Sequence, residues 1–357
     1  MLAEERAPEF DEAWYGAAYP QAIEDIARGR AQDLHEHYRQ LGRRRGYLPY
    51  PAAPRPDNPA THRSRFGGLW VDLENAVDIL NGTLELGLID ERRHALLGAF
   101  IRDGYVVLPG GVPEPALGRA REALTAAYEG ADPEQPFRCK ALPSPETTWR
   151  PELKALPAKA LGLHWRSPAI LDAVFAPAIC EFLALIFERR ALLSQTLGFY
   201  RGSAQAVHQD SAYVAYSLPM QFAAAWVALE DVTPGAGELC YYPGSHRFPE
   251  HLFGGGYKGA HEASRWAPSV DIRAYEATLP RHAEARGIQL STFRAKAGDV
   301  FIWAADLAHG GMPISRDHSR LSVVAHYCPA EVAPTYFEAA PREIRRHASG
   351  NDYATWA

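Results

Sequence analysis

In the segment Ala206-Val207-His208-Gln209-Asp210-Ser211 an imidazole and a carboxylate stand two residues apart. Residues so spaced on an extended chain point to the same side, so His208 and Asp210 can converge on one point. Far downstream, Ala308-His309-Gly310-Gly311 supplies a second imidazole just after a predicted strand. Two histidines and one carboxylate form a facial ligand set for non-haem iron(II), leaving three positions open for substrate and dioxygen. A His-x-Asp pair alone is weak evidence, because the spacing recurs by chance. Arg320 adds to it: it lies on the next predicted strand, with Ser322 two residues further on the same face. A guanidinium inside a barrel is costly to bury unless it meets a carboxylate, best through two parallel hydrogen bonds. Ser322 offers a hydroxyl to the same acceptor. Together they suit a small dicarboxylate co-substrate.

The elements that must position these residues are short strands. Apolar runs bounded by Gly- and Pro-bearing turns predict strands over 105–108, 193–201, 221–229, 238–242, 299–305 and 320–327. With few helices between them, they favour an antiparallel sandwich or barrel over a doubly wound sheet. Neither GxGxxG nor GxxxxGK[ST] occurs, so a nucleotide-phosphate cradle has no support. Leu117, Ala120, Leu124 and Tyr128 share one face of a helix over 113–128. The apolar stretch 170–187 contains Asp172, Pro177 and Glu181, which suits one or two core helices and not a membrane span.

The first ninety or so residues differ. Ile23, Ile26, Leu34, Tyr38 and Leu41 predict one amphipathic helix ending at Gly42. Pro49, Pro51, Pro54, Pro56 and Pro59 predict an extended surface connector, and Asp90 the N-cap of a helix through Arg102. The expected organisation is a mostly helical extension over 1–95 and a strand-rich domain carrying these residues over 96–335. That domain carries a lid-like insertion over 250–292, and a tail follows over 336–357.

At 357 residues, 47% hydrophobic and 22% charged, the chain is neither disordered nor a disulfide miniprotein. Its net charge of −6 lacks the broad basic surface that nucleic acid requires. Arg43-Arg44-Arg45 reads as a solvated helix end. Four cysteines without CxxC spacing argue against a zinc ribbon and fit a reducing compartment. With no basic-then-apolar signal pattern in the first residues, the expectation is a cytoplasmic monomer or homodimer.

Taken together, the motifs resemble the phytanoyl-CoA dioxygenase (PhyH)-like branch of the iron(II)- and 2-oxoglutarate-dependent oxygenases, from about residue 100 to 329. The resemblance rests on Asp103-Gly104-Tyr105-Val106-Val107, His208-Gln209-Asp210 and Trp226-Val227-Ala228-Leu229-Glu230-Asp231. It continues through Gly237-Glu238-Leu239, Pro243-Gly244-Ser245-His246-Arg247, Ala297-Gly298-Asp299-Val300, His309-Gly310-Gly311 and Arg320-Leu321-Ser322. It implies a mainly β, α+β architecture: a double-stranded β-helix (jelly roll, cupin-like) with flanking helices and a helical N-terminal extension. It implies Fe(II), 2-oxoglutarate and O2 as cofactor and co-substrates, with His208, Asp210 and His309 as metal ligands and catalytic centre. Arg320 and Ser322 match the residues that take the distal carboxylate of 2-oxoglutarate, and Trp226 an aromatic that borders it. Related halogenases replace the carboxylate, so Asp210 favours hydroxylation. The substrate so implied is a small molecule or lipid-like, with no nucleic acid and no membrane span.

Each assignment has a plainer alternative. Trp226 in an Ala-rich strand suits a core aromatic, and Tyr213 and Tyr216 can line a pocket or merely pack. His246 reads as ordering a turn, His318 as loop, and His326 as a satisfied core or rim histidine. Cys240 and Cys328 read as small core residues. The 250–292 segment is either a surface insertion with a helix near 271–278, or a lid. As a lid it would have Gly254-Gly255-Gly256 as hinge and Lys258, His261 or Arg265 facing an anionic substrate. Two other classes remain: a cupin-like metal enzyme without 2-oxoglutarate, and a non-catalytic binding protein on the same fold.

Overall fold

The computed structural model describes residues 10–42, 47, 49, 61–253, 256–264, 270–335 and 341–356. The chain divides into two compact units, 1–101 with 218–221, and 102–217 with 222–357.

In the second unit the early strands are β1 (Tyr105–Leu108), β2 (Phe137–Arg138), β3 (Glu146–Thr147), β4 (Lys159–Leu161) and β5 (Ala191–Phe199). They are followed by β6 (Ala223–Ala228), β7 (Leu239–Tyr241), β8 (Ser291–Phe293) and β9 (Val300–Ala304). The last are β10 (His309–Gly311), β11 (Ser322–Pro329), β12 (Glu343–Arg346) and β13 (Asp352–Thr355). The larger sheet runs β1-β9-β6-β11-β5-β4-β2-β3, and the smaller runs β10-β7-β8. All of these neighbours are antiparallel. This is the double-stranded β-helix, with helices flanking it.

Every residue of β6 is buried, as expected of a strand covered on both faces. Trp226, Phe301 and Trp303 from β6 and β9 pack with Leu239 and Tyr241 of β7, filling the space between the sheets. The alanines at 224 and 228 leave room for those rings. The two glycine-bearing motifs also meet here. Gly104 has φ +80, and a Cβ on it would lie 2.4 Å from the His246 ring. Gly244 donates its N–H to the Asp103 carbonyl at 2.7 Å. The His246 ring thus packs against the start of β1.

The predicted strands form: 105–108 as expected, 221–229, 238–242 and 299–305 shortened by one or two residues at each end, and 193–201 and 320–327 displaced by two, to 191–199 and 322–329. The short ones, β2 to β4, β8, β10, β12 and β13, carry too few residues for periodicity to reveal. The segment 336–357, expected as a tail, instead contains the β12–β13 hairpin, and β13 pairs in parallel with β5. Asn351 accepts from the Ala191 N–H at 2.9 Å and His164 pairs with the Ala354 carbonyl at 2.9 Å, which ties the hairpin to the sheet. The predicted helix over 113–128 forms as Ala116–Tyr128, with Leu117, Ala120, Leu124 and Tyr128 buried. The apolar stretch becomes two buried helices, Pro168–Val174 and Pro177–Phe187, bent by 54° where proline forbids continuation. Among the described residues no single helix is long and apolar enough to cross a membrane.

In the first unit the expected single helix is broken into Pro20–Ala27 and Leu34–His37, the latter running on through Tyr38–Gly42. Gly29 at φ +71 and Asp33, whose side chain caps the Glu36 N–H, separate them. Ile23, predicted to face inward, is 55% exposed. The buried face is instead polar: Tyr15 pairs with His37 Nδ1 at 3.0 Å, and His37 Nε2 with Asp25 at 3.0 Å. Arg30 donates to Asp25 at 2.7 Å. That chain of bonds, with Tyr19 stacked on Tyr47 at 4.0 Å, overrides the apolar periodicity. Asp90 caps its helix as expected, accepting from the Arg93 N–H at 2.7 Å. Arg43-Arg44-Arg45 and Pro51, Pro54, Pro56 and Pro59 lie outside the described residues.

Asp25→Ala strands His37 and Arg30 without their carboxylate, which should cost about 3 kcal/mol. The check is the urea midpoint of the first unit, followed through its tyrosine fluorescence; an unchanged midpoint would contradict the pairing.

Candidate metal centre

The backbone brings the two histidines together before their side chains do. His208 and His309 exchange both N–H···O bonds at 2.9 Å, as an isolated antiparallel bridge. Gly310 makes the approach possible, since a Cβ there would lie 2.8 Å from the Gln205 carbonyl oxygen. Asp210 opens the short turn Asp210–Ala212, and its carboxylate faces both rings. One oxygen lies 3.5 Å from His208 Nε2 and 3.8 Å from His309 Nε2. The three potential ligand atoms lie within 4.8 Å of one another, and all three residues are buried.

Each ring is aimed by its other nitrogen. His208 Nδ1 pairs with the Ala206 carbonyl at 2.8 Å, and His309 Nδ1 with the Leu307 carbonyl at 2.9 Å. A carbonyl can only accept, so Nδ1 carries the proton and a neutral ring presents its Nε2 lone pair to the centre. The second oxygen of Asp210 accepts from Trp303 Nε1 at 2.9 Å and lies 3.3 Å from His326 Nε2. One carboxylate oxygen is thereby fixed and the other left for a metal. Burial pushes the Asp210 carboxyl up, but His309 and His326 outweigh it and hold it well below the usual range. Burial pushes His309 down to about 4, against the pull of Asp210. The donor set suits a divalent cation with imidazole and carboxylate preferences.

Arg320 is buried just before β11, and its Nη1 donates to the Gly237 carbonyl at 2.6 Å. The guanidinium sits 5.5 Å from the Trp226 ring centroid and 5.8 Å from that of Phe199. Burial pushes it down to about 10, against the pull of Glu238. Among the described residues, its Nε and Trp226 Nε1 are both buried donors without an acceptor. Both residues line one cavity with His208, Asp210 and His309. Ser322 is fully buried, and its hydroxyl donates to the Arg320 carbonyl at 3.3 Å.

Trp303, His326 and Lys159 also line that cavity, and sequence reasoning missed all three. His326, read as a core or rim histidine, is buried with Nε2 on the Asp210 carboxylate. Its signal was available: Arg320, Ser322, Val324 and His326 alternate along one strand. Lys159 sits on a three-residue strand with no such pattern, and donates to Gln205 at 2.7 Å.

The insertion over 250–292 is anchored directly to the ligand-bearing segments. Lys258, 3% exposed, donates to Asp306 at 2.7 Å, and Ser211 donates to the other Asp306 oxygen. Tyr275 donates to Gln209 at 2.7 Å, and Gln209 to the Asp306 carbonyl at 2.6 Å. Phe253, Ala260, Tyr275 and Leu279 pack with Ala212 and Ala308, each beside a ligand. Lys258 therefore serves the scaffold and does not face a substrate; Gly254, Gly255, Arg265 and Trp266 lie outside the described residues. The predicted helix near 271–278 forms as Ile272–Glu276, capped by Asp271. Tyr213 borders the centre, edge-on to His208, whereas Tyr216 is buried against Ser194. His318 is exposed in a loop, and Cys240 and Cys328 are buried and unpaired by disulfide.

The family model for phytanoyl-CoA dioxygenase (PhyH) matches residues 100–322. No curated protein matches the sequence. Among solved structures, the chain is similar to the epimerase SnoN in complex with Fe3+, alpha ketoglutarate and nogalamycin RO. The identity is 23%, covering 68% of this chain and 86% of that one, with a TM-score of 0.50. It is similar to the alpha ketoglutarate dependent carbocyclase SnoK from nogalamycin biosynthesis at 15% identity, covering 74% and 97%, TM-score 0.51. It is also similar to EctD from S. alaskensis with 2-oxoglutarate and 5-hydroxyectoine at 20% identity, covering 75% and 88%, TM-score 0.51. These likenesses show the fold.

Two outcomes follow from the buried groups. Lys258→Met leaves the buried Asp306 carboxylate with the Ser211 hydroxyl but without its cation, and should lower the unfolding free energy by about 3 kcal/mol. A denaturant midpoint equal to wild type would contradict the anchoring role. Burial pushes His164, like His309, down to about 4 from an ordinary 6.5. The unfolded chain then binds protons that the native one refuses, so their contribution is full above about 6.5 and lost as pH falls through about 4. Urea midpoints of the metal-free protein should drop progressively across that window; a flat profile would contradict it.

Proposed function

The chain belongs to the phytanoyl-CoA dioxygenase family, and from that premise we propose that it is an iron(II)- and 2-oxoglutarate-dependent oxygenase hydroxylating a small-molecule or lipid-like substrate. His208, Asp210 and His309 hold the iron, Arg320 takes the far carboxylate of 2-oxoglutarate, and Trp226 and Ser322 border it. The observation that carries this reading is the pair of buried, acceptorless donors, Arg320 Nε and Trp226 Nε1, in the cavity of the three converging ligands. Such donors are costly to leave unmet, and a carboxylate meets them. Support also comes from SnoN, known with Fe3+ and alpha ketoglutarate, and EctD, known with 2-oxoglutarate.

When bound, iron and 2-oxoglutarate supply the oxidising power: 2-oxoglutarate and dioxygen yield succinate, carbon dioxide and one oxygen atom for a substrate C–H bond. The residues of the chain do the rest. The Ala206 and Leu307 carbonyls keep the protons on Nδ1 of the two histidines. Trp303 holds one Asp210 oxygen so that the other stays turned to the metal. Arg320, fixed at Gly237, orients the co-substrate, and Leu197, Phe199, Leu239 and Val324 keep water from the reacting end. The carboxylate at position 210 fills a coordination site that a halide would need, which favours hydroxylation.

Arg320→Ala should weaken 2-oxoglutarate binding by ~2–5 kcal/mol, or some ~30- to ~4000-fold. Arg320→Lys keeps the charge but not the fork and should recover part of the loss. Iron content should be nearly unchanged in both. The measurement is an anaerobic titration of the iron(II) protein with 2-oxoglutarate, paired with succinate release in air. Wild-type affinity in Arg320→Ala would remove the co-substrate assignment.

A further inference from the structure

We infer that the substrate carries a hydroxyl group, which His326 and Gln195 receive beside the metal centre; its oxidation there rests on the oxygenase reading, its binding does not. His326 is 2% exposed and lines both the inner cavity and a chamber of about 430 Å³ outside it. Its Nε2 lies 3.3 Å from Asp210, and a carboxylate can only accept, so that nitrogen carries the proton. Nδ1, on the other side of the ring, is buried and meets no hydrogen-bond partner among the described residues. The singly protonated ring is left with a lone pair that none of them answers.

The sheet turns this residue toward the chamber. Ser322, Val324 and His326 alternate along β11, and His326 pairs directly with Gln195 of β5. Directly opposed residues share a face, and Gln195 lines the chamber together with Leu197 two residues on. Just past His326 the pairing shifts register, as at bulges that re-aim side chains beside sites. A buried nitrogen without a partner is costly, and a group entering the cavity relieves that cost. The surroundings select the group. The chamber carries both signs of charge, Arg138 and Lys159 with Asp210 and Glu276, so neither a free anion nor a free cation is favoured throughout it. A carboxylate has no proton to give Nδ1, and an ammonium cannot accept from the Gln195 amide. A hydroxyl does both, donating to Nδ1 while it accepts from Gln195.

The test uses the iron(II)-loaded protein, saturated with 2-oxoglutarate under anaerobic conditions so that Arg320 is already engaged. Cyclohexanol, methoxycyclohexane and cyclohexylamine are titrated as probes by calorimetry. Cyclohexanol, which donates and accepts, should bind roughly tenfold more tightly than either of the others. His326→Gln places an amide nitrogen near the position of Nε2 and nothing at Nδ1. It should therefore load iron and 2-oxoglutarate while losing the preference, whereas a histidine that served only to hold Asp210 would leave the preference in place. Gln195→Leu, outside the contacts to Asp210, should weaken the preference severalfold. Equal binding of cyclohexanol and methoxycyclohexane in the wild type, tightest binding of cyclohexylamine, or a preference that survives in both variants overturns the inference. Failure of the oxygenase reading is seen separately, as absence of iron or 2-oxoglutarate uptake by the wild type, and the same titration of unloaded protein then still reads the hydroxyl contact.

Discussion

A carboxylate at 5% exposure must be compensated from several sides, and Asp210 is the point to which the surrounding residues are fitted. One oxygen is taken by the Trp303 indole and approached by His326, while the other faces the two Nε2 atoms. Each partner comes from a different part of the sheet system: β9, β11, the segment before the Asp210–Ala212 turn, and β10. The sandwich core follows from this, since Trp303 belongs at once to the inter-sheet packing and to the carboxylate. A change that moves β9 against β11 therefore moves the metal-facing oxygen too.

The second layer is carried by the insertion. Lys258 and Tyr275 reach the loops bearing the ligands through Asp306 and Gln209, and the apolar cluster around Phe253 continues the same contact. A buried ammonium-carboxylate pair contributes little net stability, but it fixes which arrangement is adopted once the cost of burial is met. The insertion thereby braces the two histidine-bearing segments, whose separation is set by their own backbone pairing. A chamber lined from β2, β4 and Glu276 of the insertion adjoins the same ligands.

Much of the centre was legible in the sequence because its chemistry is local. His208 and Asp210 are spaced for one face of an extended chain, and His309 follows a strand whose apolar run is unmistakable. The glycines after His309 mark the close backbone approach that they permit. What was not legible depends on distant partners. Nothing near Lys258 announces Asp306, so its charge read as facing a ligand. Ile23 and Ile26 gave a helical period, yet the Tyr15–His37–Asp25–Arg30 chain, joined only by folding, chose the buried face. β4 is too short to reveal that Lys159 points into the site, and the hairpin of β12 and β13 has no apolar pattern to announce it. His326 was legible through its alternation with Arg320 and was read too plainly.

The central claim is that His208, Asp210 and His309 together hold one iron(II) ion. Anaerobic equilibrium dialysis against a fixed low concentration of free iron(II), followed by metal analysis, tests it most directly. Wild-type protein should retain one ion per chain, and Asp210→Ala and His309→Ala, each shown to be folded, less than about a tenth of that. Full occupancy in either folded variant would contradict the account, because two remaining ligands cannot hold the ion in an open site.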